Sequence, residues 1–291
     1  MHSRIRTRVA RASVGFALVA GLATLAPLAE AARVAVISNR FAIETATDFS
    51  AKITGHSFTP IIPSSAPTLK DLTDNYDVIL LFEDTTFAGA PAVGDLVAAF
   101  AKSGKTVVLG TFYDEDRSDA PSSPFTSHGW GQMETIDPNT TDGVGTPGAY
   151  RSLNVASMLP SPLTTGIHSL ASAKWAGGNE AKPGTIVVAT WDQKNARGNP
   201  DPAIAYRVTG AACVVHVAIA PDYPTVGIEG VDFTGDFYAV WKNAFDFASH
   251  QCVAAAPGVF IVPTRDSGAL AALALLLAAL GAVTLRRQRA R

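Results

Sequence analysis

Little in this 291-residue chain has the spacing of known chemistry. Cysteine is almost missing, with 2 in all, Cys213 and Cys252, and no CxxC occurs. There is no HExxH and no GxSxG, so zinc and serine-hydrolase readings have no positive support. The histidines His56, His128, His168 and His250 stand isolated in sequence, and His216 falls in the middle of an apolar run that reads as a strand, where a packed core residue is expected. No internal repeat or low-complexity linker divides the chain. Basic charge is scarce once the two ends are set aside: without their nine Arg and two acidic residues, 14 basic side chains face 23 acidic ones, a formal charge of −9. Such a surface argues against nucleic acid, whose phosphates need Lys and Arg. It is compatible with cation binding or with simple solubility.

What the chain does have begins with its ends. Arg4, Arg6, Arg8 and Arg11 precede an apolar run from Val14 to Leu28 and the small-residue site Ala29-Glu30-Ala31. This is the layout of a secretory signal peptide over residues 1–32, with the mature chain beginning near Ala32 or Arg33. The run is short for the alternative, an N-terminal membrane anchor. At the other end, Gly268 to Leu285 carries no charge and is long enough to cross a bilayer as a helix, and Arg286, Arg287, Arg289 and Arg291 follow as a positive-inside stop. The expected product is exported to the cell envelope or outer surface and tethered, at least transiently, by its tail. In that oxidising setting two cysteines favour a disulfide over a redox pair or a metal site.

Residues 33–252 read as one α/β domain, followed by a spacer over 253–262 and the tail over 263–291. Short apolar strands are predicted at "RVAVISNR", "SFTPIIP", "YDVILLFED" and "KTVVLGTFY", with helices at "AIETATDFSAKITGH" and "PAVGDLVAAFAKSG" between them. Strands apolar on both faces belong in a parallel sheet covered on both sides. From Asp114 to about Pro183 the alternation stops; Gly, Pro, Ser, Thr and Asn dominate, which implies a functional insertion or a set of short irregular elements. Strands return at "GTIVVATWD", "AIAYRVTG" and "ACVVHVAIAP". A last helix, "DFYAVWKNAFDFASHQ", carries Phe237, Val240, Trp241, Ala244, Phe245 and Ala248 on one stripe. Running back antiparallel to the strand that Cys213 opens, this helix brings Cys252 close to it.

"RVAVISN", "YDVILLFED", "GKTVVLGTFY", "TTGIHSL" and "GTIVVATW", in this order, resemble the class I glutamine amidotransferase-like fold and, within it, ThuA-like secreted domains. The resemblance implies a three-layer, flavodoxin-like architecture with a mostly parallel central sheet and helices on both faces. It also implies a nucleophilic Cys in a tight turn after the strand "KTVVLGTFY" and a His after the last strand. Here Thr111 occupies the first place, between Gly110 and the bulky Phe112 and Tyr113, and Asp222 and Tyr223 stand where the His is expected. "Val262-Pro263-Thr264", the apolar helix and the Arg cluster resemble IPTL-CTERM and PEP-CTERM sorting signals, which implies an exosortase-like or related membrane protease as partner. A permanent single-pass anchor is the alternative.

Carboxylates are the remaining candidates for chemistry. Glu83 and Asp84 end one predicted parallel strand, and Asp114, Glu115, Asp116 and Asp119 follow the next. Ligands of open α/β sheets bind beyond the carboxyl ends of the strands, where these groups, with His128 and Asp222, could converge. Asp114 and Asp116 are the oxygen ligands expected for calcium, if a metal is held at all. A pair of the carboxylates could instead serve as acid and base in glycan cleavage, and a solvated acidic loop is the plain alternative. "DPNTTDG" falls one place out of register with a calcium loop and reads as a turn. Phe125, Trp130 and Tyr150, with Ser127, His128 and Gln132, could stack a surface polysaccharide or cap the sheet. The leading expectation is a surface-sorted, non-catalytic domain acting in ligand binding or surface assembly, and the alternative is an extracellular carboxylate- or metal-dependent glycan hydrolase.

Overall fold

A computed structural model describes residues 31–65, 67–83, 87, 89–111, 113, 129–141, 150–221 and 232–253. The chain opens with β1 (Arg33–Ile37), α1 (Ala42–Lys52), β2 (Ser57–Ile61), α2 (Leu69–Asn75), β3 (Val78–Leu81), α3 (Ala90–Lys102) and β4 (Thr106–Gly110). Short strands follow: β5 (Asn139–Thr141), β6 (Arg151–Ser152), β7 (Leu170–Ser172) and β8 (Asn179–Ala181). The chain then forms β9 (Thr185–Lys194), β10 (Pro200–Thr209), β11 (Ala212–Val217), β12 (Phe233–Gly235) and α4 (Phe237–Ser249).

Seven strands form the central sheet in the order β2-β1-β3-β4-β11-β10-β9. The first five run parallel, and β10 and β9 extend the sheet antiparallel. Alternation along the strands divides the core. Val34, Val36, Leu80, Val108, Val215 and Val217 pack with Phe49 of α1 and Trp241 of α4. Ala35, Ile37, Ile79, Leu81, Val107, Leu109 and Val214 pack with Leu72 of α2 and Val97 and Phe100 of α3. The expected three layers are present, and the whole predicted stripe of α4 is buried.

Local signals set the helix ends. A reciprocal capping box between Thr68 and Asp71 starts α2, a helix the apolar spacing did not reveal because only Leu72 of its seven residues is buried. Pro91 lies in the first turn of α3, where its missing N–H costs nothing. Residues 129–141 and 150–183, read as an insertion or a set of short irregular elements, hold short elements, of which β6 and β7 join β12 in a three-stranded sheet β12-β7-β6 and β5 and β8 form a two-stranded sheet. Among the described residues no helix is long and apolar enough to cross a membrane; the predicted signal peptide and tail lie outside them.

Two devices hold the amino-end rim of the sheet. Asp77, just before β3, accepts hydrogen bonds from the backbone N–H and guanidinium of Arg33 at 2.9–3.1 Å and from Lys105 Nζ at 3.0 Å, which ties the starts of β1, β3 and β4 together. The second is the expected disulfide between Cys213 in β11 and Cys252 after α4, 39 residues apart. Gln251 and Cys252 both have left-handed backbones, at φ 53° and 56°, a conformation that costs side-chain-bearing residues about 1 kcal/mol or more each.

Closing a loop of that length stabilises the fold by about 4 kcal/mol on the chain-entropy argument. Urea unfolding with and without reductant should show that loss, with a Cys213→Ala/Cys252→Ala chain insensitive to reductant. The hydrogen bonds from Arg33 and Lys105 hold the Asp77 carboxyl well below the usual range. Its contribution to stability is therefore complete above the unfolded pKa near ~4 and is lost as pH falls through the lower folded value. Asp77→Asn should flatten the acid side of the stability–pH curve and leave its alkaline side unchanged, as read by urea unfolding at a series of pH values.

Candidate functional site

Strand order reverses between β1 and β3, the point where open α/β sheets leave a crevice beyond their carboxyl ends. The rim there is built from Ser38 to Phe41 after β1, Phe82 and Glu83 after β3, Thr111 and Tyr113 after β4, and Ala218 to Pro221 after β11. Phe41, at the start of α1, has a left-handed backbone at φ 62°, and the Arg40 guanidinium lies 4.3 Å from the centre of its ring.

Thr111, at the position the resemblance assigns to a nucleophile, is fully buried, and its hydroxyl has no hydrogen-bond partner. Its N–H donates to the Ile219 carbonyl at 3.0 Å, so the pairing of β4 with the β11 segment runs on through the place where a nucleophile turn would lift away. Gly110 is close-packed: a Cβ there would come within 3.1 Å of the Trp241 ring and 3.2 Å of Pro221. Among the described residues with side chains, only Phe41, Gln251 and Cys252 have a positive φ, so Thr111 lacks the strain of a nucleophile elbow. Among the described residues no imidazole or carboxylate reaches its oxygen to act as a base.

Of the predicted carboxylates, Glu83 is 1% exposed at the end of β3. Asp84, Asp114, Glu115, Asp116, Asp119 and Asp222 lie outside the described residues, as do His128, Phe125 and Ser127. Among the described residues no three His, Cys, Asp or Glu side chains come together as a metal site.

Trp130, one of the candidate sugar-stacking rings, caps the core instead. It is 1% exposed and stacks on Tyr113 with ring centres 5.1 Å apart, and its Nε1–H donates to the Tyr113 carbonyl at 3.0 Å. Tyr113 in turn donates its hydroxyl proton to Asp137 at 3.0 Å, and Lys182 pairs with the same carboxylate. Helix α3 approaches so closely that a Cβ on Gly94 would lie 1.9 Å from the Trp130 carbonyl oxygen. Tyr150 is 42% exposed, and Gln132 is exposed with its N–H bound to Asp95 at 2.7 Å.

Beside the reversal point lies an apolar cleft of about 250 Å³, lined by Ile37, Ile61, Pro63, Pro67, Val93 and Leu96 among others. It is smaller than the roughly 300–1,000 Å³ of a typical small-molecule pocket. Its aliphatic and prolyl walls suit one or two apolar groups and offer nothing to activate water. No motif announces it, because its walls come from β1, β2, the turn after β2, and α3.

Two polar clusters also escape sequence spacing. Arg151 and Asp201 form a buried ion pair at 2.8 Å, with the guanidinium 4.5 Å from the Trp175 ring centre and 5.7 Å from that of Trp191. Burial raises the Asp201 carboxyl pKa, opposed by the Gly178 and Asn179 N–H groups at 2.8 and 3.0 Å and by Arg151. His56, 1% exposed in its side chain, contacts Asp246 of α4 at 3.0 Å. His216 is the core histidine expected, fully buried in β11 with Nδ1 at 2.8 Å from Asn139 Nδ2. His168 is exposed, and its backbone N–H and that of Ser169 are held by Asp236 at 2.8 and 3.0 Å.

No family model matches the chain, and no curated protein sequence matches it. Among solved structures it is similar to a ThuA-like protein of Bacteroides uniformis, with a TM-score of 0.51 and 11% identity over 74% of this chain and 90% of that one. A ThuA-like protein of Parabacteroides merdae gives 0.48 at 11% identity over 80% and 94% of the two chains. A cytoplasmic protein of Salmonella typhimurium gives 0.47 at 13% identity over 76% and 98%. The likeness to the first is one of fold: a mixed α/β architecture around a mostly parallel sheet. Chemistry does not follow from it.

Thr111→Val removes a buried hydroxyl that bonds to nothing and keeps the shape of the side chain. It should leave the fold intact and stabilise it by about 1 kcal/mol, the cost of an unmet buried polar group, as measured by urea unfolding.

Proposed function

We propose that this chain is an exported domain of amidotransferase-like, ThuA-like fold, sorted to the cell surface by its tail, that binds a partner or ligand without turning it over. The observation that carries the reading is Thr111. At the end of β4, where the resembled enzymes hold a Cys on a strained turn, its side chain is fully buried, its N–H stays in the strand pairing with Ile219, and among the described residues no base reaches its hydroxyl. The apolar cleft at the strand-order reversal supports binding of apolar groups. The acidic body and the carboxylates at Asp114 and Asp116 support calcium as a possible ligand. An exosortase-like protease acts on the tail in this reading, and a surface polysaccharide is the natural extracellular ligand class to test.

Thermal unfolding of the exported, purified protein against calcium, magnesium, surface polysaccharides and proline-rich apolar peptides tests the reading. A ligand that binds the native state alone raises Tm with its concentration, and no product should accumulate. A calcium shift abolished in Asp114→Asn/Asp116→Asn would assign the metal. Release of new reducing ends from a polysaccharide, lost in Glu83→Gln, would overturn the binding reading in favour of glycan hydrolysis.

A further inference from the structure

Burial changes abruptly between Ala31 and Ala32. Ala31 is exposed, whereas Ala32 is 2% exposed and already built into the sheet, its carbonyl accepting the Ser57 N–H at 3.0 Å. The Ala32 N–H donates to His56 Nδ1 at 3.2 Å. Because Nδ1 faces a donor it must be the acceptor nitrogen, which leaves the ring proton on Nε2, 3.0 Å from Asp246 Oδ1. Asp246 is held by Lys242 Nζ at 2.6 Å through its other oxygen. Burial works against the Asp246 carboxylate, but the hydrogen bonds from His56 and Lys242 outweigh it and hold the pKa below the ordinary range. The imidazole packs edge-on against the adjoining rings of Phe58 and Phe245, with centres 6.3 and 6.0 Å away. A neutral histidine is thus fixed by a carboxylate behind it and aims its lone pair at one backbone nitrogen.

That nitrogen belongs to the bond at which the small-residue site Ala29-Glu30-Ala31 ends. We propose that His56 and Asp246 form a receptor for the α-ammonium group of Ala32 released when the leader is cut between Ala31 and Ala32. The inference rests on the export reading above. In the cut, under a leader-cleaving membrane protease, water adds across the peptide bond: the C–N bond breaks, the hydroxyl goes to the Ala31 carbonyl carbon and one proton to the Ala32 nitrogen, and the new Ala31 carboxyl group gives up its proton so that the leader ends in a carboxylate and the Ala32 amine becomes an ammonium. The nitrogen gains a positive charge while keeping its bond to Nδ1. Loss of the exposed Ala31 opens its other side to water, which can take the two remaining protons. Asp246 lies directly behind the imidazole, so the new charge faces a carboxylate across the ring; Lys242 pairs with that carboxylate, and the neighbouring Arg33 is paired with Asp77. A neutral amide donor becomes a charge-assisted one, the stronger kind. The mature end is then tied to α4 and withheld from amine-directed chemistry.

The test uses the full chain exported from a bacterial host, purified as wild type and as His56→Gln. Intact mass reads the cut, and peptide mapping after brief treatment with an amine-acylating reagent near neutral pH reads the α-amine. The expected result is a chain beginning at Ala32 whose α-amine reacts about tenfold more slowly in wild type than in His56→Gln, the ratio that one hydrogen bond to a charged group supports. If the variant does not fold, urea-unfolded wild type is the reference. A correct mass with equal acylation rates would overturn the receptor and leave export standing. A chain that is exported uncut, or cut elsewhere, would overturn the receptor together with the leader assignment.

Discussion

The organising constraint is the burial of β11. It lies between β4 and β10, all six of its residues are buried, and the helices cover only part of what flanks it. A strand in that position cannot leave a polar group unmet on either face. On the face shared with α1 and α4, the sheet beyond β11 is covered by Leu163, Ile167, Trp175 and Trp191. On the opposite face His216 points out of the sheet and needs a partner, which β5 supplies as Asn139. The long segment between β4 and β9 thus provides cover where the four helices end. The buried Arg151–Asp201 pair belongs to the same task. It locks β6 to β10, and its desolvation is offset by two backbone N–H groups and two indole faces rather than by the ion pair alone.

The same packing governs the opposite rim. Sealing Gly110 under Trp241 and Pro221 lets β4 and the β11 segment stay hydrogen-bonded to Thr111. A turn that exposed a side chain there would have to push both rings aside. Closure at this point and cover over β11 are therefore one arrangement: α4 sits low enough on the sheet to bury Trp241 only because no turn rises beneath it.

The layout of the sheet was largely legible. Runs such as Val107–Gly110 and Val214–Val217, apolar at successive positions, can only be strands covered on both faces, and the stripe from Phe237 to Ala248 can only be a helix on one of them. The disulfide followed from the same placement. Helix α2 was not legible because its capping box binds the backbone while a single side chain, Leu72, reaches the core. The antiparallel turn of β9 and β10 leaves no signature in residue alternation. The sites were harder to read. Trp130 looks the same in sequence whether it stacks a sugar or fills the space beside Gly94, and only the 1.9 Å approach at that glycine decides between the two. His56 and Asp246 are 190 residues apart and meet only because α1 and α4 share a face.

The position of the disulfide also settles how the domain carries mechanical load. Cys252 follows α4 within three residues, so tension arriving from the residues after it meets the covalent bridge before it meets α4. The bridge passes it to Cys213 in β11, a strand hydrogen-bonded on both edges. The helix is not peeled from its end, and the ladders on both sides of β11 resist together in shear. A domain wired in this way can be held by its carboxyl end against flow or crowding without unfolding from that end.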